Sequence, residues 1–342
     1  MSEAEPEHAG VHPGRGQDPL DPQVICGLVD DRARLLAGAG LQLDALQPHA
    51  ARLLAHAPIE AAQLGAIAAA CDRPLHELLV LDGGLVELLT GAEIERSLGL
   101  YVDGPNGPVL AGAWALAPAE AEHVTLRQVQ VGEPGSRLAW VLGLPGSLGL
   151  AGISASGHAV LGNLLRPAVG GPGIMGSALL RRLLAAPRLE QARQQIAATA
   201  LVDGRNWMLA DGPNFFGYEH LGGERILTRV GRKTGHVHAN HCFDPSLRQR
   251  EAKPRSPRSF RRLELASTMY VQRRPDTAAS VLEFFTEVEA AAFATPDARA
   301  NTVWAVELAT GTALWRRRAG DPVIHTTFRT PLRIDATTKG RS

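Results

Sequence analysis

The order of sequence signals predicts an α+β chain in which antiparallel sheets are covered by segregated helices. Three observations predict it. The chain opens with an Ala/Leu-rich stretch at helical spacing, and two blocks of short strand-like runs follow with a helical block between them. There is also none of the regular strand–helix alternation that a parallel doubly wound sheet requires.

Each element follows from local chemistry. Residues 1–22 are rich in Gly, Pro, Glu and His and are expected to form a flexible lead-in. From 23 to 89 apolar residues recur at helical spacing: Ile25, Leu28, Leu35 and Leu36, then Ala51, Leu53, Leu54, Ala61 and Leu64. Pro58 and Pro74 punctuate these helices and Asp82-Gly83-Gly84 interrupts the last, so 23–96 is expected as a helical N-terminal segment. Leu98–Val102 and Val109–Leu116 then read as strands joined by Asp103-Gly104-Pro105-Asn106-Gly107, a run with strong hairpin chemistry.

Further strands are expected at 122–131, 136–142, 149–154 and 158–162, then helices at 174–186 and 189–201 separated by Pro187. Strands resume at 206–210, 215–219, 224–230 and 235–239. Amphipathic helices occupy 257–270 and 276–291, and a last hairpin pairs 301–307 with 312–317. The Pro/Arg/Lys-rich stretch 251–258 reads as a loop. The core is expected over 97–333, ahead of a loose tail at 334–342.

Composition narrows the function classes. Lys+Arg and Asp+Glu balance at 35 each over 342 residues, which argues against nucleic acid as a partner, because such binding needs a net basic footprint. The three cysteines, Cys26, Cys71 and Cys242, form neither a disulfide framework nor a paired zinc motif, and a reducing cytoplasm is the simplest compartment. No run reaches the roughly 18 apolar residues of a membrane span. The acidic start lacks the basic-then-apolar pattern of a signal peptide.

Most local motifs are weak. Gly170-Gly171-Pro172-Gly173 precedes a helix but lacks the Lys-Ser/Thr of a phosphate loop and the spacing of a dinucleotide fingerprint. Ser154 and Ser156 do not fit a nucleophile elbow. The densest polar cluster is His236-Val237-His238-Ala239-Asn240-His241-Cys242-Phe243-Asp244. Spacing alone leaves three alternatives for it: a metal site using His236 and His238 with His241 or Asp244; an Asn240 amide that holds an oxyanion; or a solvated strand end.

A family resemblance covers roughly residues 60 to 325. Glu95 to Leu116 resembles the cleavage-site region of the isopenicillin N acyltransferase-like autoproteolytic hydrolases (peptidase family C45), in which Asp/Glu-Gly-Cys-Thr is followed by a strand, a Pro-Asn-Gly-type turn and a strand ending in Gln-Asn-Trp-Asp. Without gaps, Pro105-Asn106-Gly107 meets the turn, Trp114 the tryptophan and Ser97 the cysteine. Upstream, Leu81-Asp82 and Glu87 resemble residues ahead of the family's cut.

Downstream, the matching segments are Gly149 to Asn163, Pro172 to Leu184 with Arg181 or Arg182, Asn206 to Asp211, and Tyr218-Glu219. His238-Ala239-Asn240-His241, Ser259 with Arg261 to Leu265, and Gly320-Asp321-Pro322 complete the order.

The resemblance implies a four-layer αββα sandwich of two antiparallel sheets. It implies a chain cut at Arg96–Ser97, with Ser97 as N-terminal nucleophile, its freed α-amine as base, and Asn240 as oxyanion donor. Trp114, His238, His241 and Asn163 would bind substrate or support the site. The implied activity is that of an amidase or acyltransferase on a small acylated amine or amino-acid derivative. No cofactor or metal is implied, and an acyl-coenzyme A donor would suit acyl transfer.

This sequence departs from the family pattern at Ser97 for Cys, Arg96 for Gly, Leu98 for Thr and Ala115 for Asp. A hydroxyl is the poorer nucleophile at neutral pH, and Arg adopts strained backbone less readily than Gly. The alternative is therefore a catalytically degenerate homologue serving as a binding or scaffold protein. Cys242 as a substitute thiol is a further alternative.

Overall fold

The computed structural model describes residues 20–92, 96–133, 135–231, 235–253, 256–293, 299, 301–318 and 320–328. The expected lead-in up to residue 19 and the tail at 334–342 lie outside these residues.

The hairpin that organises one sheet is β1 (Arg96–Gly104) with β2 (Gly107–Ala115), in register from Arg96↔Ala115 to Gly104↔Gly107. Its turn is therefore Pro105-Asn106, and Gly107 follows at φ +103°, a conformation that favours glycine. Ahead of it come α1 (Pro22–Gly38), α2 (Gln47–His56), α3 (Pro58–Ala70), α4 (Leu75–Leu78) and α5 (Gly83–Thr90). Asp82 caps α5 by accepting from Leu85 N–H at 3.0 Å, and Gly91 ends it in the left-handed region.

After the short α6 (Pro118–Ala121) come β3 (Thr125–Val131), β4 (Arg137–Gly143), β5 (Ala151–Ser154) and β6 (Ala159–Leu165). Helices α7 (Gly176–Ala185) and α8 (Leu189–Ala198) precede β7 (Gly204–Asp211), β8 (Asn214–Leu221), β9 (Glu224–Gly231) and β10 (His236–His238). The short α9 (Pro245–Arg248) leads to α10 (Pro257–Arg273), α11 (Ala278–Ala292), β11 (Thr302–Glu307), β12 (Thr312–Arg316) and β13 (Ile324–Thr327).

Two antiparallel sheets result, one ordered β10-β1-β2-β11-β12-β13 and the other β3-β4-β5-β6-β7-β8-β9. Strand periodicity assigns each face. Tyr101, Leu110, Trp114 and Trp304 of the first sheet meet Leu142, Ile153, Leu161, Met208 and Phe215 of the second. Leu98, Leu100, Ala111 and Val303 point the other way and are covered by Ala266, Val281, Phe285 and Val288 of α10 and α11. The outer face of the second sheet, with Val141, Val160, Trp207 and Leu209, lies under α7, α8 and the N-terminal helices. The chain is a four-layer αββα sandwich.

The N-terminal helices share that outer core. Val29, Leu36, Leu53, Leu64, Leu81 and Val86 belong to the same buried cluster as Leu179 and Trp207. Arg32 forms a buried ion pair with Glu120 (2.6 Å), which ties α1 to α6.

The expected elements fall close to the observed ones, with informative exceptions. The strand expected from 122 begins at Thr125 because Pro118 opens α6. The stretch 251–258, read as a loop, ends inside α10, which starts at Pro257. The four-residue elements α6, α9 and β13 are too short to show a period. No helix of the described residues is long and apolar enough to cross a membrane.

Candidate active site

Alternation along β1 places Ser97, Gly99 and Tyr101 on the face between the sheets, while Leu98 and Leu100 face α10 and α11. Trp114 lies opposite Ser97 in the β1–β2 register, and both are fully buried. Gly99 is required at this face: a Cβ there would lie 2.5 Å from Met208 Sδ and 2.7 Å from Asn163 Oδ1.

Asn240 follows β10 and reaches Ser97 from 143 residues away. Ser97 N–H donates to Asn240 Oδ1 at 2.6 Å, while Asn240 Nδ2 donates to Ser97 Oγ at 2.9 Å and to Leu164 O at 2.9 Å. A backbone N–H can only donate and a carbonyl can only accept, so the orientation of the amide is fixed by two unambiguous partners. Oγ thus accepts a hydrogen bond while keeping its own proton for transfer.

Around this pair lie further buried polar groups. Asn206 Nδ2 donates to Asn163 Oδ1 (3.2 Å), and Asn163 Nδ2 and Asn206 Oδ1 have no partner among the described residues. His238 sits opposite Gly99 in the β10–β1 register. Its Nδ1 donates to Ala239 O (2.7 Å) and its Nε2 meets Glu219 Oε1 (2.8 Å).

Burial opposes ionisation of Glu219, but the His238 bond and the N–H groups of Phe243 and Asp244 outweigh it and hold the carboxyl below its usual range. The carboxylate can only accept, and His238 Nδ1 carries a proton because Ala239 O accepts from it. Buried Glu219 and His238 thus form a hydrogen-bonded pair that joins the two sheets.

The three histidines do not converge. His238 stacks on Phe243 (4.2 Å between centroids) and His241 stacks on Phe260 (4.0 Å), while His241 Nδ1 lies 2.7 Å from Ser259 Oγ. His236 packs near Phe215, and burial, then His238 and Arg229, push its pKa down to about 3. Among the described residues no group of three His, Cys, Asp or Glu side chains is placed to hold a metal ion. The Cys242 thiol is buried. Burial first, with Glu251 and Glu219 adding to it, pushes its pKa up, which leaves a poor nucleophile.

The structure thus brings Ser97, Trp114, Asn163, His238 and Asn240 to one end of the space between the sheets, with His241 one residue on. Glu251 and Arg248, which hold the Asn240 segment, carried no recognisable signal. They hold it through its backbone groups, and a backbone contact imposes no spacing on the sequence.

No family model matches the chain, and no curated protein matches it. Among solved structures, penicillin V acylase from Agrobacterium tumefaciens aligns with a TM-score of 0.47 and 16% identity over 70% of this chain and 88% of that one. Two variants of conjugated bile acid hydrolase from Clostridium perfringens align with TM-scores of 0.43. Their identities are 12% and 11%, over 68% and 67% of this chain and 92% of each of theirs.

Proposed function

We propose that the protein is an amide hydrolase or acyltransferase that cuts its own Arg96–Ser97 bond and then uses Ser97 as an N-terminal nucleophile on small acylated amines or amino-acid derivatives. The observation that carries this is the Asn240 carboxamide, which grips both the N–H and the hydroxyl of Ser97.

In the maturation step Ser97 Oγ attacks the Arg96 carbonyl carbon. A C–O bond forms, the peptide C–N bond breaks and the nitrogen takes up the hydroxyl proton. Water then cleaves the ester, leaving a carboxylate on Arg96 and an α-amine on Ser97. Asn240 Oδ1 already accepts from that nitrogen and would keep the freed amine beside Oγ. An α-amine has a reference pKa of about 7.7–8.0, so its neutral form is available near neutral pH as a base.

Toward substrate, the amine takes the Oγ proton as Oγ attacks the amide carbonyl. Asn240 Nδ2 turns from Oγ to the developing oxyanion. The leaving amine departs with the proton, and the acyl ester passes to water or to a second amine. An acyl-coenzyme A thioester could feed the same ester in the transfer case.

A second reading has its own support. Ser97 is fully buried and Arg96 is held in regular register with Ala115, the arrangement a non-catalytic scaffold would keep. The experiment that separates the two is release of amine from a panel of N-acyl amino acids and acyl amides. Wild type turns over at least one of them and Ser97→Ala none under the first reading. Under the second, the two proteins are equally silent.

A further inference from the structure

The segment that carries Asn240 runs between β10 and α9 without regular structure, yet four of its N–H groups are met by side chains. Asn240 N–H donates to Ser259 Oγ (2.8 Å), Cys242 N–H to Glu251 Oε1 (2.6 Å), Phe243 N–H to Glu219 Oε1 and Asp244 N–H to Glu219 Oε2 (2.9 Å). The acceptors come from α10, from β8 and from the bridge residue Glu251, and all three side chains are buried. Arg248 secures the opposite side by donating to Cys242 O (3.1 Å) and Phe243 O (2.9 Å). Leaving such groups unmet in a partly buried loop is costly, so each acceptor restricts where the loop can sit.

Only one of these acceptors lands on the backbone of Asn240 itself. Ser259 lies in the first turn of α10, where its own N–H donates to Ser256 O (3.1 Å) and its side chain is turned toward the loop. His241 Nδ1 contacts the same oxygen at 2.7 Å, and the imidazole is stacked on Phe260, so the hydroxyl is held from two sides. An amide aimed at an oxyanion loses much of its effect when displaced by a fraction of an ångström, because its value lies in being placed beforehand.

We propose that Ser259 is a positioning residue for Asn240: by accepting the Asn240 N–H it fixes the backbone from which the carboxamide reaches Ser97, while Glu219 and Glu251 hold the remainder of the loop. The catalytic consequence rests on the proposed role of Asn240; the positional claim does not.

The test uses the full chain and four variants: Ser259→Ala, Ser259→Thr, Asn240→Ala and the double variant Asn240→Ala/Ser259→Ala. Ser259→Ala is expected to lower kcat about tenfold with KM little changed, and Ser259→Thr to recover most of the loss. In the Asn240→Ala background the same change is expected to cost nothing more, because its route to the chemistry has been removed. An equal loss in both backgrounds, or none in either, overturns the proposal.

Hydrogen–deuterium exchange provides an arm that needs no activity. Ser259→Ala should speed exchange of the Asn240 amide about fivefold while leaving β7 unchanged. Unchanged exchange at Asn240 overturns the proposal. A wild-type chain that neither cuts itself nor turns over an amide sinks the enzymatic role alone, and the exchange result then decides the positional claim.

Discussion

Asn240 binds Ser97 with both ends of its carboxamide: Oδ1 takes the backbone N–H at 2.6 Å and Nδ2 gives to the hydroxyl at 2.9 Å. Asn240→Asp keeps the shape and the acceptor but removes the donor and places a negative charge where an oxyanion would develop. We predict that self-cleavage and amide turnover both fall by about 10²–10³ with the fold retained, as read by cleavage time courses alongside circular dichroism.

Gly99 lies two residues after Ser97 on the same face, where any side chain would collide with Met208 and Asn163. Met208 is flexible, but Asn163 Oδ1 is engaged by Asn206 and cannot yield without breaking that bond. Gly99→Ala is expected to destabilise the chain by about 1–3 kcal/mol in urea unfolding. It should lower turnover beyond what the loss of folded protein explains.

Three histidines, His158 and His220 fully buried and His236 partly so, set an acid limit on stability. Burial depresses the pKa of His158 to about 4 (despite its bond to Leu183 O), that of His220 to about 4 with Arg225 adding, and that of His236 to about 3. In the unfolded chain each takes up a proton near pH 6.5, while the folded chain resists until pH 4 or below. The unfolded state therefore binds more protons as pH falls through this window, and stability is lost at about 1.4 kcal/mol per pH unit for each histidine. The thermal midpoint should drop steeply between pH 6.5 and 5, and His158→Gln should flatten that dependence. A midpoint that does not move over the interval would contradict the assignment.

Cleavage before Ser97 should not release the N-terminal piece. Its helices share a buried core with α7 and β7, and Arg32 pairs with Glu120 away from solvent. Both pieces should co-elute on size exclusion and separate only in denaturant. Arg32→Ala, which leaves Glu120 buried without its cation, should destabilise the assembly by about 3–5 kcal/mol.

The antiparallel sheets and segregated helices are legible because their signals are local, whereas the four-layer sandwich follows only from the family resemblance. Asn106-Gly107 marks a hairpin, the short apolar runs Leu98–Val102 and Val109–Leu116 on either side of it mark strands, and Pro187 divides two helices, so each needs only its neighbours. The pairing of Ser97 with Asn240 was legible only through the family resemblance, since nothing in the composition of either segment links them. Spacing alone allows His236, His238 and His241 to share a metal. The structure instead sends them to Phe215, Glu219 and Ser259, because packing and buried acceptors outside the segment decide where each ring turns. Glu251 is silent in the sequence for the same reason: it accepts from the backbone N–H of Cys242, which any residue but proline would supply.

The central claim is that Ser97 turns its own peptide bond into an N-terminus, and intact mass spectrometry of the purified full-length chain tests it most directly. Wild type should give two species, residues 1–96 and 97–342, and Ser97→Ala one uncut chain. A wild-type chain that stays whole on prolonged incubation at neutral pH, and shows no amide turnover, would contradict it.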